Sequence, residues 1–266
     1  MNRNRFATAA LALSAGLAWA SSASAHPHVW VDANAELVFN DKGELTAIRH
    51  IWQFDKDFTA FATLNLDANN DGELTVDELA PLAQTNMDSL KEYGYFTDVY
   101  VGGQKQAFSA PQEYWLDFHQ QRLTLFYTLP LTKPVAIVGD AMIEVGDPEY
   151  FVAISFVKGA EVHLENAPAS CRATYRPPQE LDAQTMATLA TIPADQRDLP
   201  PDLIQAASEL VNVINVTCDG SAPTAGTQST LSPADLAVNT PDNATPVPKP
   251  AEEDPGFWAW VFRGFK

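Results

Sequence analysis

Residues 67–78 read DANNDGELTVDE, a stretch in which oxygen-bearing side chains alternate with other residues around a central glycine. A calcium loop of the EF-hand type needs oxygen ligands at alternate positions, a sharp turn in the middle and a closing bidentate carboxylate. Gly72 stands where the backbone must reverse. The expected ligands are Asp67, Asn69, Asp71, the backbone carbonyl of Glu73, Thr75 and Glu78. We therefore expect a calcium site, and the alternative is an acidic turn that binds no ion.

Apolar residues recur at three- and four-residue spacing on both sides of this loop and predict a helix on each side. Phe58 and Phe61 precede it, and Leu79, Leu82 and Leu90 follow it. The helix pair should form an insertion over about 55–93.

The rest of the chain to residue 218 alternates in a β pattern, apart from two predicted helices at 183–190 and 201–208. The predicted strands lie at 28–39, 44–54, 97–101, 107–108, 114–118, 123–129, 136–145, 150–157, 161–164, 171–175 and 211–218. These patterns predict an α+β chain with mostly antiparallel sheets and an EF-hand-like helix pair inserted early.

The first 25 residues have the composition of an export signal. Two arginines precede an apolar run over 6–20, and Ala-Ser-Ala at 23–25 supplies a pattern of small residues for cleavage. The run is short for a membrane span. We expect cleavage after Ala25, so that the mature chain begins at His26 in the periplasm.

The charge balance is strongly acidic. Of the 266 residues, 16 are Lys or Arg and 34 are Asp or Glu; without the two arginines of the export signal, the net charge is about −20. Such a chain repels nucleic-acid backbones and concentrates cations. Nucleic acid is therefore excluded as a partner. No serine, cysteine or phosphate-loop signature is present, so we expect no enzymatic activity.

Two cysteines occur, Cys171 and Cys218. In an oxidising compartment this count predicts one structural disulfide. A redox or metal role would need closer spacing.

A second candidate site is the mature N-terminus. His26 would offer its α-amine and its imidazole, and His28 a further imidazole, a donor set that suits nickel, copper or zinc. His50, on the returning strand, is the third candidate ligand. A difference of one residue in the register decides whether it faces Asp32 or the opposite side of the sheet. The alternative is that these histidines have structural roles only.

After residue 220 the composition changes. Residues 221–255 are rich in Pro, Thr, Ala and Asn and predict a disordered linker. Residues 256–266 read GFWAWVFRGFK. In a helix their apolar side chains would share one face, and we expect this tail to dock on the membrane interface or on a permease there. The alternative is docking on an apolar patch of its own domain. The predicted docking residues are Phe257, Trp258, Val261 and Phe265.

Several stretches together resemble the domain-of-unknown-function family numbered 1007. They are HPHVWVD at 26–32, IWQFD at 51–55, YGYF at 93–96 and DPEYFVA at 147–153, and the two cysteines complete the pattern. The family consists of secreted proteins labelled as periplasmic components of uncharacterised ABC-type transport systems, often encoded beside nickel/cobalt permeases. The resemblance implies a role in handling a transition metal outside the inner membrane.

The expected function is that of a periplasmic metal-binding accessory protein of a nickel, cobalt, zinc or copper transport system. Its partner would be an inner-membrane metal permease, and its resident ion calcium. One alternative is a solute-binding component of an ABC-type transporter, although the chain lacks two similar α/β lobes around a hinge. Another is a secreted copper-dependent enzyme that uses the terminal histidine.

Overall fold

The computed structural model describes residues 27–189, 191–192 and 199–218. The strands, in chain order, are β1 (Val29–Phe39), β2 (Glu44–Phe54), β3 (Thr97–Val101), β4 (Gln104–Lys105), β5 (Tyr114–His119), β6 (Arg122–Ala136), β7 (Gly139–Val145), β8 (Val152–Phe156), β9 (Val162–Glu165), β10 (Cys171–Arg176) and β11 (Asn212–Cys218). The helices are α1 (Lys56–Ala62), α2 (Val76–Glu92), α3 (Ala183–Leu189) and α4 (Pro201–Ser208).

The strands form two sheets. The first, sheet A, has the order β5-β6-β2-β1-β8, with β9 also paired to β1; the second, sheet B, has the order β10-β11-β7-β3-β4. Pairing is antiparallel except where β1 meets β8 and β9. The predicted α+β class with mostly antiparallel sheets is confirmed.

The core is built from the inward positions of both sheets. On β1 every second residue from Val29 to Phe39 is buried, as expected for a strand with one face toward the core. These side chains form one apolar cluster with residues of sheet B and with Leu79, Leu82 and Met87 of α2. A small second cluster lies under α3 and α4 and contains Leu189, Ile192, Leu199 and Leu203.

One buried amide links the two sheets. The Asn212 side chain donates to the carbonyls of Val145, 3.0 Å away, and Ile154, 2.9 Å away. Its oxygen accepts from the Tyr175 hydroxyl at 2.7 Å. Because buried polar groups are costly unless paired, this network favours one arrangement of β7, β8 and β10 around β11.

Two details of the predicted strands are wrong. The strand expected at 107–108 lies at Gln104–Lys105, and Phe108 forms only an isolated bridge to Leu131. The strand expected at 123–129 continues to Ala136, although Pro130 and Pro134 lie within it. A register shift between β2 and β6 falls beside Pro130, and such irregularities are where a strand tolerates proline.

The predicted disulfide is confirmed. Cys171 and Cys218 stand opposite each other on β10 and β11, and their sulfurs are bonded. Among the described residues, no helix is both long enough and apolar enough to cross a membrane.

Candidate metal centre

The helices that flank the 67–78 loop are fixed by their caps. The Asp55 carboxylate accepts from the Phe58 amide at 2.8 Å and begins α1, which ends at Ala62. A turn over 63–66, with Asn65 at a φ of 63°, then leads into the loop. Four residues, 63–66, thus separate the end of α1 from the loop.

The backbone of the loop turns at the predicted glycine. Gly72 has a φ of +83°, and Asn70, two residues earlier, has a φ of 59°. Residues with a Cβ adopt the left-handed backbone region at a cost in free energy. Glycine adopts it most readily, and asparagine more readily than most other residues. The sequence Asn-Asp-Gly at 70–72 thus fits a backbone that reverses inside the loop.

Three side chains fold back onto amides of the loop itself. The Asp67 carboxylate accepts from the amides of Asp71 at 3.2 Å and Gly72 at 2.9 Å. The Asn69 side-chain oxygen also accepts from the Asp71 amide, and the Asp71 carboxylate accepts from the Glu73 amide, both at 2.9 Å. A carboxylate has about four acceptor positions, so these bonds leave lone pairs available to a cation.

Glu78 connects the two ends of the loop. One carboxylate oxygen accepts from the Ala68 amide at 3.1 Å. The other accepts from the Thr75 amide at 3.0 Å and hydroxyl at 2.8 Å. The Thr75 hydroxyl in turn caps α2, so Thr75 and Glu78 form a capping box. The last expected ligand is thereby held beside the start of the loop.

These hydrogen bonds also favour the ionised form of Glu78. The Thr75 amide, followed by the Thr75 hydroxyl, lowers the pKa of the Glu78 carboxyl below its usual value. Residues 67–78 contain five carboxylates and no basic residue. None of the ion pairs between described residues involves the loop.

The donor set of the loop fits a hard cation. All of its expected ligands are oxygen atoms, from carboxylates, an amide, a hydroxyl and a carbonyl, which is the set that calcium prefers. Within the described part of the chain, no three His, Cys, Asp or Glu side chains are grouped so that they could hold a metal ion. In the loop, the carboxylates of Asp67, Asp71 and Glu78 instead accept hydrogen bonds from backbone amides.

The N-terminal histidines can be placed only in part, because His26 lies outside the described residues. His28 directly precedes β1, and its amide donates to the Phe151 carbonyl at 2.9 Å. The two rings are in contact, with their centroids 4.8 Å apart and their planes tilted by 34°. Phe151 belongs to a turn that the buried Asp147 carboxylate fixes by accepting the amides of residues 149, 151 and 152. The sequence alone does not indicate this role for Asp147, because a buried carboxylate that accepts amides and an exposed acidic turn have the same sequence pattern.

His50 does not join His28. The register of β1 and β2 places His50 opposite Ala35, seven residues beyond His28, which is about 23 Å along a strand. It therefore faces the core rather than Asp32. Its ring is 1 % exposed, stacks on Tyr127 and has its Nε2 atom 3.2 Å from the Thr97 hydroxyl. Burial lowers the pKa of His50 to about 3.

The other predicted features lie outside the described residues. They are the export signal, the 221–255 linker and the aromatic tail with Phe257, Trp258, Val261 and Phe265.

A family model described as "Protein of unknown function (DUF1007)" matches residues 11–218, which is more than half of the chain. No curated protein matches the chain.

Proposed function

The chain belongs to the DUF1007 family, and we propose that it is a periplasmic metal-binding accessory protein of a transition-metal transport system. In this proposal its 67–78 loop holds calcium as a structural or regulatory ion. An inner-membrane metal permease is the proposed partner. We propose no catalytic activity for the chain.

The observation that carries the proposal is the conformation of the 67–78 loop. Its reversal at Gly72, its side chains folded onto loop amides and its closing Glu78 agree with the requirements of a calcium loop. A plain acidic turn has no need for a carboxylate that bridges the two ends. The bridge from Glu78 to Ala68 supports the calcium interpretation over that alternative.

Calcium would neutralise charges that otherwise repel one another. The loop's own residues would supply carboxylate oxygens from Asp67, Asp71 and Glu78, with Asn69 and Thr75 as neutral donors. Like charges within one loop disfavour a compact arrangement, so the ion should tighten the junction of α1 and α2.

A transition metal would bind separately, at the processed N-terminus. The α-amine and imidazole of His26 and the imidazole of His28 are the proposed donors. The contact between the rings of His28 and Phe151 supports a defined position for one of these donors. The distant position of His50 removes it from this proposed set.

We expect calcium to raise the melting temperature of the mature protein. An ion present at 100 times its Kd adds about 2.7 kcal/mol to the stability of the folded state. For a folded body of this size, the melting temperature should rise by about 5–10 °C. Glu78→Gln should abolish most of this shift, because the closing carboxylate is lost. Differential scanning calorimetry with and without 10 mM calcium measures the effect.

Glu73→Gln is the matched control, since it removes the same charge from a residue expected to ligate through its backbone carbonyl. It should keep most of the calcium-dependent shift. Equal shifts in Glu78→Gln and the unchanged protein would refute the assignment of Glu78 as a ligand.

Nickel or copper affinity should depend on a free His26 amine. One added residue before His26 displaces the amine and should weaken binding at least tenfold, about 1.4 kcal/mol. Calorimetric titration with nickel compares the affinities of the chain that begins at His26 and the chain with one added residue. Equal affinity would exclude the terminal chelate, and the calcium shift would be unaffected by that result.

A further inference from the structure

The two exposed tryptophans among the described residues lie on the same face of sheet A. Trp30 of β1 is 42 % exposed, and Trp115 of β5 is 43 % exposed. On β1 the odd-numbered side chains point to the core, so Trp30 belongs to the opposite face. On β5 the buried Leu116 points to the core, which places Trp115 on that opposite face as well. We call it the outer face of sheet A.

The helices that pack on sheet A lie on its other side. Their buried side chains, among them Phe58 of α1 and Leu82 of α2, belong to the apolar cluster formed by the inward residues of the strands. The Phe58 ring contacts the ring of Phe54, an inward residue of β2, with centroids 4.7 Å apart. Within the described part of the chain, no helix therefore covers the two exposed tryptophans.

The strand register places a row of polar side chains between the two tryptophans. Asp117 of β5 lies opposite Thr124 of β6, and Thr124 lies opposite Gln53 of β2. Gln53 in turn lies opposite Asp32 of β1. All four side chains can accept hydrogen bonds, and those of Thr124 and Gln53 can also donate them.

The two tryptophans are far apart on the sheet. The residues in line with Trp115 on the successive strands are Phe126, Ile51 and Asn34. Three strand spacings, about 14 Å, separate β5 from β1, and the four residues from Asn34 to Trp30 span about 13 Å along β1. The diagonal between the two tryptophan positions is therefore about 20 Å. A ligand that contacts both rings must be an extended chain.

The Trp115 ring is held in place without being buried. It stacks on Phe126, its cross-strand neighbour, with ring centroids 4.9 Å apart and planes only 7° from parallel. Such a pair fixes the orientation of both rings. The free side of Trp115 is thus a preformed flat platform.

The charges around the polar row are nearly balanced. Arg122 pairs with Asp32 at 2.8 Å, and Arg49 pairs with Glu36 at 3.0 Å. Asp117 takes part in none of the ion pairs between described residues. Because the chain after the export signal carries a net charge of about −20, it repels a second acidic copy and an anionic lipid surface. A neutral ligand instead meets a face that is close to neutral.

A sugar chain has the chemistry that this face requires. One side of a pyranose ring presents C–H groups, which pack on an aromatic ring, and its rim presents hydroxyls that donate and accept hydrogen bonds. The outer face offers an aromatic ring at each end and hydrogen-bonding side chains between them. An extended chain of β-1,4-linked sugars repeats both features along its length.

We propose that the outer face of sheet A binds a β-1,4-linked glycan strand of the cell wall. Trp30 and Trp115 stack on sugar rings, and Gln53 and Asp117 bond their hydroxyls. The choice of the cell wall as the source rests on the proposed periplasmic location. Neither proposed metal site takes part, so failure of glycan binding would leave the metal-binding proposal intact.

Calorimetric titration of chitohexaose, a β-1,4-linked hexamer of N-acetylglucosamine, into the chain from His26 onward tests the proposal. Trp30→Ala and Trp115→Ala should each weaken binding about tenfold, as the loss of an aromatic anchor does. Tyr100→Ala removes a partly exposed ring from sheet B and is the matched control, with an unchanged Kd. No binding heat at 5 mM chitohexaose would overturn the proposal, and so would equal affinities in the tryptophan variants and the unchanged protein.

Trp30→Ala decides the matter if Trp115→Ala does not fold, because the Trp30 ring stacks on no described aromatic residue. Sedimentation with purified cell-wall sacculi tests the source of the glycan. The unchanged protein should sediment with the sacculi and Trp30→Ala should stay in solution, whereas equal sedimentation of the two contradicts the cell wall as ligand.

Two further results would assign the outer face to another occupant. A dimer that forms between 1 and 100 μM protein and is lost in Trp115→Ala would assign it to a second copy. Chitohexaose binding that appears only after deletion of residues 256–266 would assign it to the chain's own tail. Either result contradicts the proposal. Analytical ultracentrifugation and calorimetry of the shortened chain measure them.

Discussion

Replacing Cys171 and Cys218 together by serine should lower the free energy of unfolding by roughly 4 kcal/mol. The bond joins residues 47 apart in sequence, so it restricts a long loop of the unfolded chain. The chain-entropy estimate for such a loop is about 4 kcal/mol. The bond also fastens β11, the strand through which Asn212 links the two sheets, to β10. Urea denaturation followed by circular dichroism measures the difference.

A reducing agent is the control for this experiment. It should destabilise the unchanged protein by a similar amount and leave the double-serine variant unaffected. A loss below about 1 kcal/mol would show that the unfolded chain is already restricted in some other way.

Acidification from pH 7 to pH 5 should destabilise the protein by about 2 kcal/mol through His50 alone. Burial holds the pKa of His50 at about 3, whereas an unfolded histidine titrates near 6.5. Below pH 6.5 the unfolded chain therefore binds a proton that the folded chain does not. Stability from this group is complete above pH 6.5 and is lost progressively as the pH falls toward 3.

His50→Phe isolates this effect. Phenylalanine keeps a ring against Tyr127 and removes both the titration and the Nδ1 atom, which has no partner among the described residues. The variant should show a flatter stability profile between pH 7 and pH 5, measured by urea denaturation at each pH. Parallel profiles for the two proteins would mean that His50 takes up a proton in the folded state.

Local features of the chain could be predicted from its sequence. The reversal at Gly72 and the helices on each side of the 67–78 loop each depend on a few neighbouring residues. The disulfide followed from the number of cysteines and the expected compartment. The residues that determine each local feature lie close together in sequence. The two cysteines are far apart, but neither has another cysteine with which to pair.

Features that depend on distant pairing could not be predicted. The face on which His50 lies is set by the register of β1 and β2, and a shift of one residue reverses it. The full length of β6 could not be predicted, because Pro130 normally ends a strand. The irregular pairing that accommodates Pro130 depends on β2. The apolar pocket lined by Trp52, Phe58 and Leu90, between sheet A and the helices α1 and α2, could not be predicted either, because its walls are far apart in sequence.

Calorimetric titration of calcium into the chain from His26 onward tests the central claim most directly. We predict one ion bound per chain with a Kd on the order of 10⁻⁵ to 10⁻³ M. The binding heat should be lost in Glu78→Gln and kept in Glu73→Gln. No binding heat and no bound calcium by equilibrium dialysis at 10 mM would contradict the claim that residues 67–78 form a calcium site.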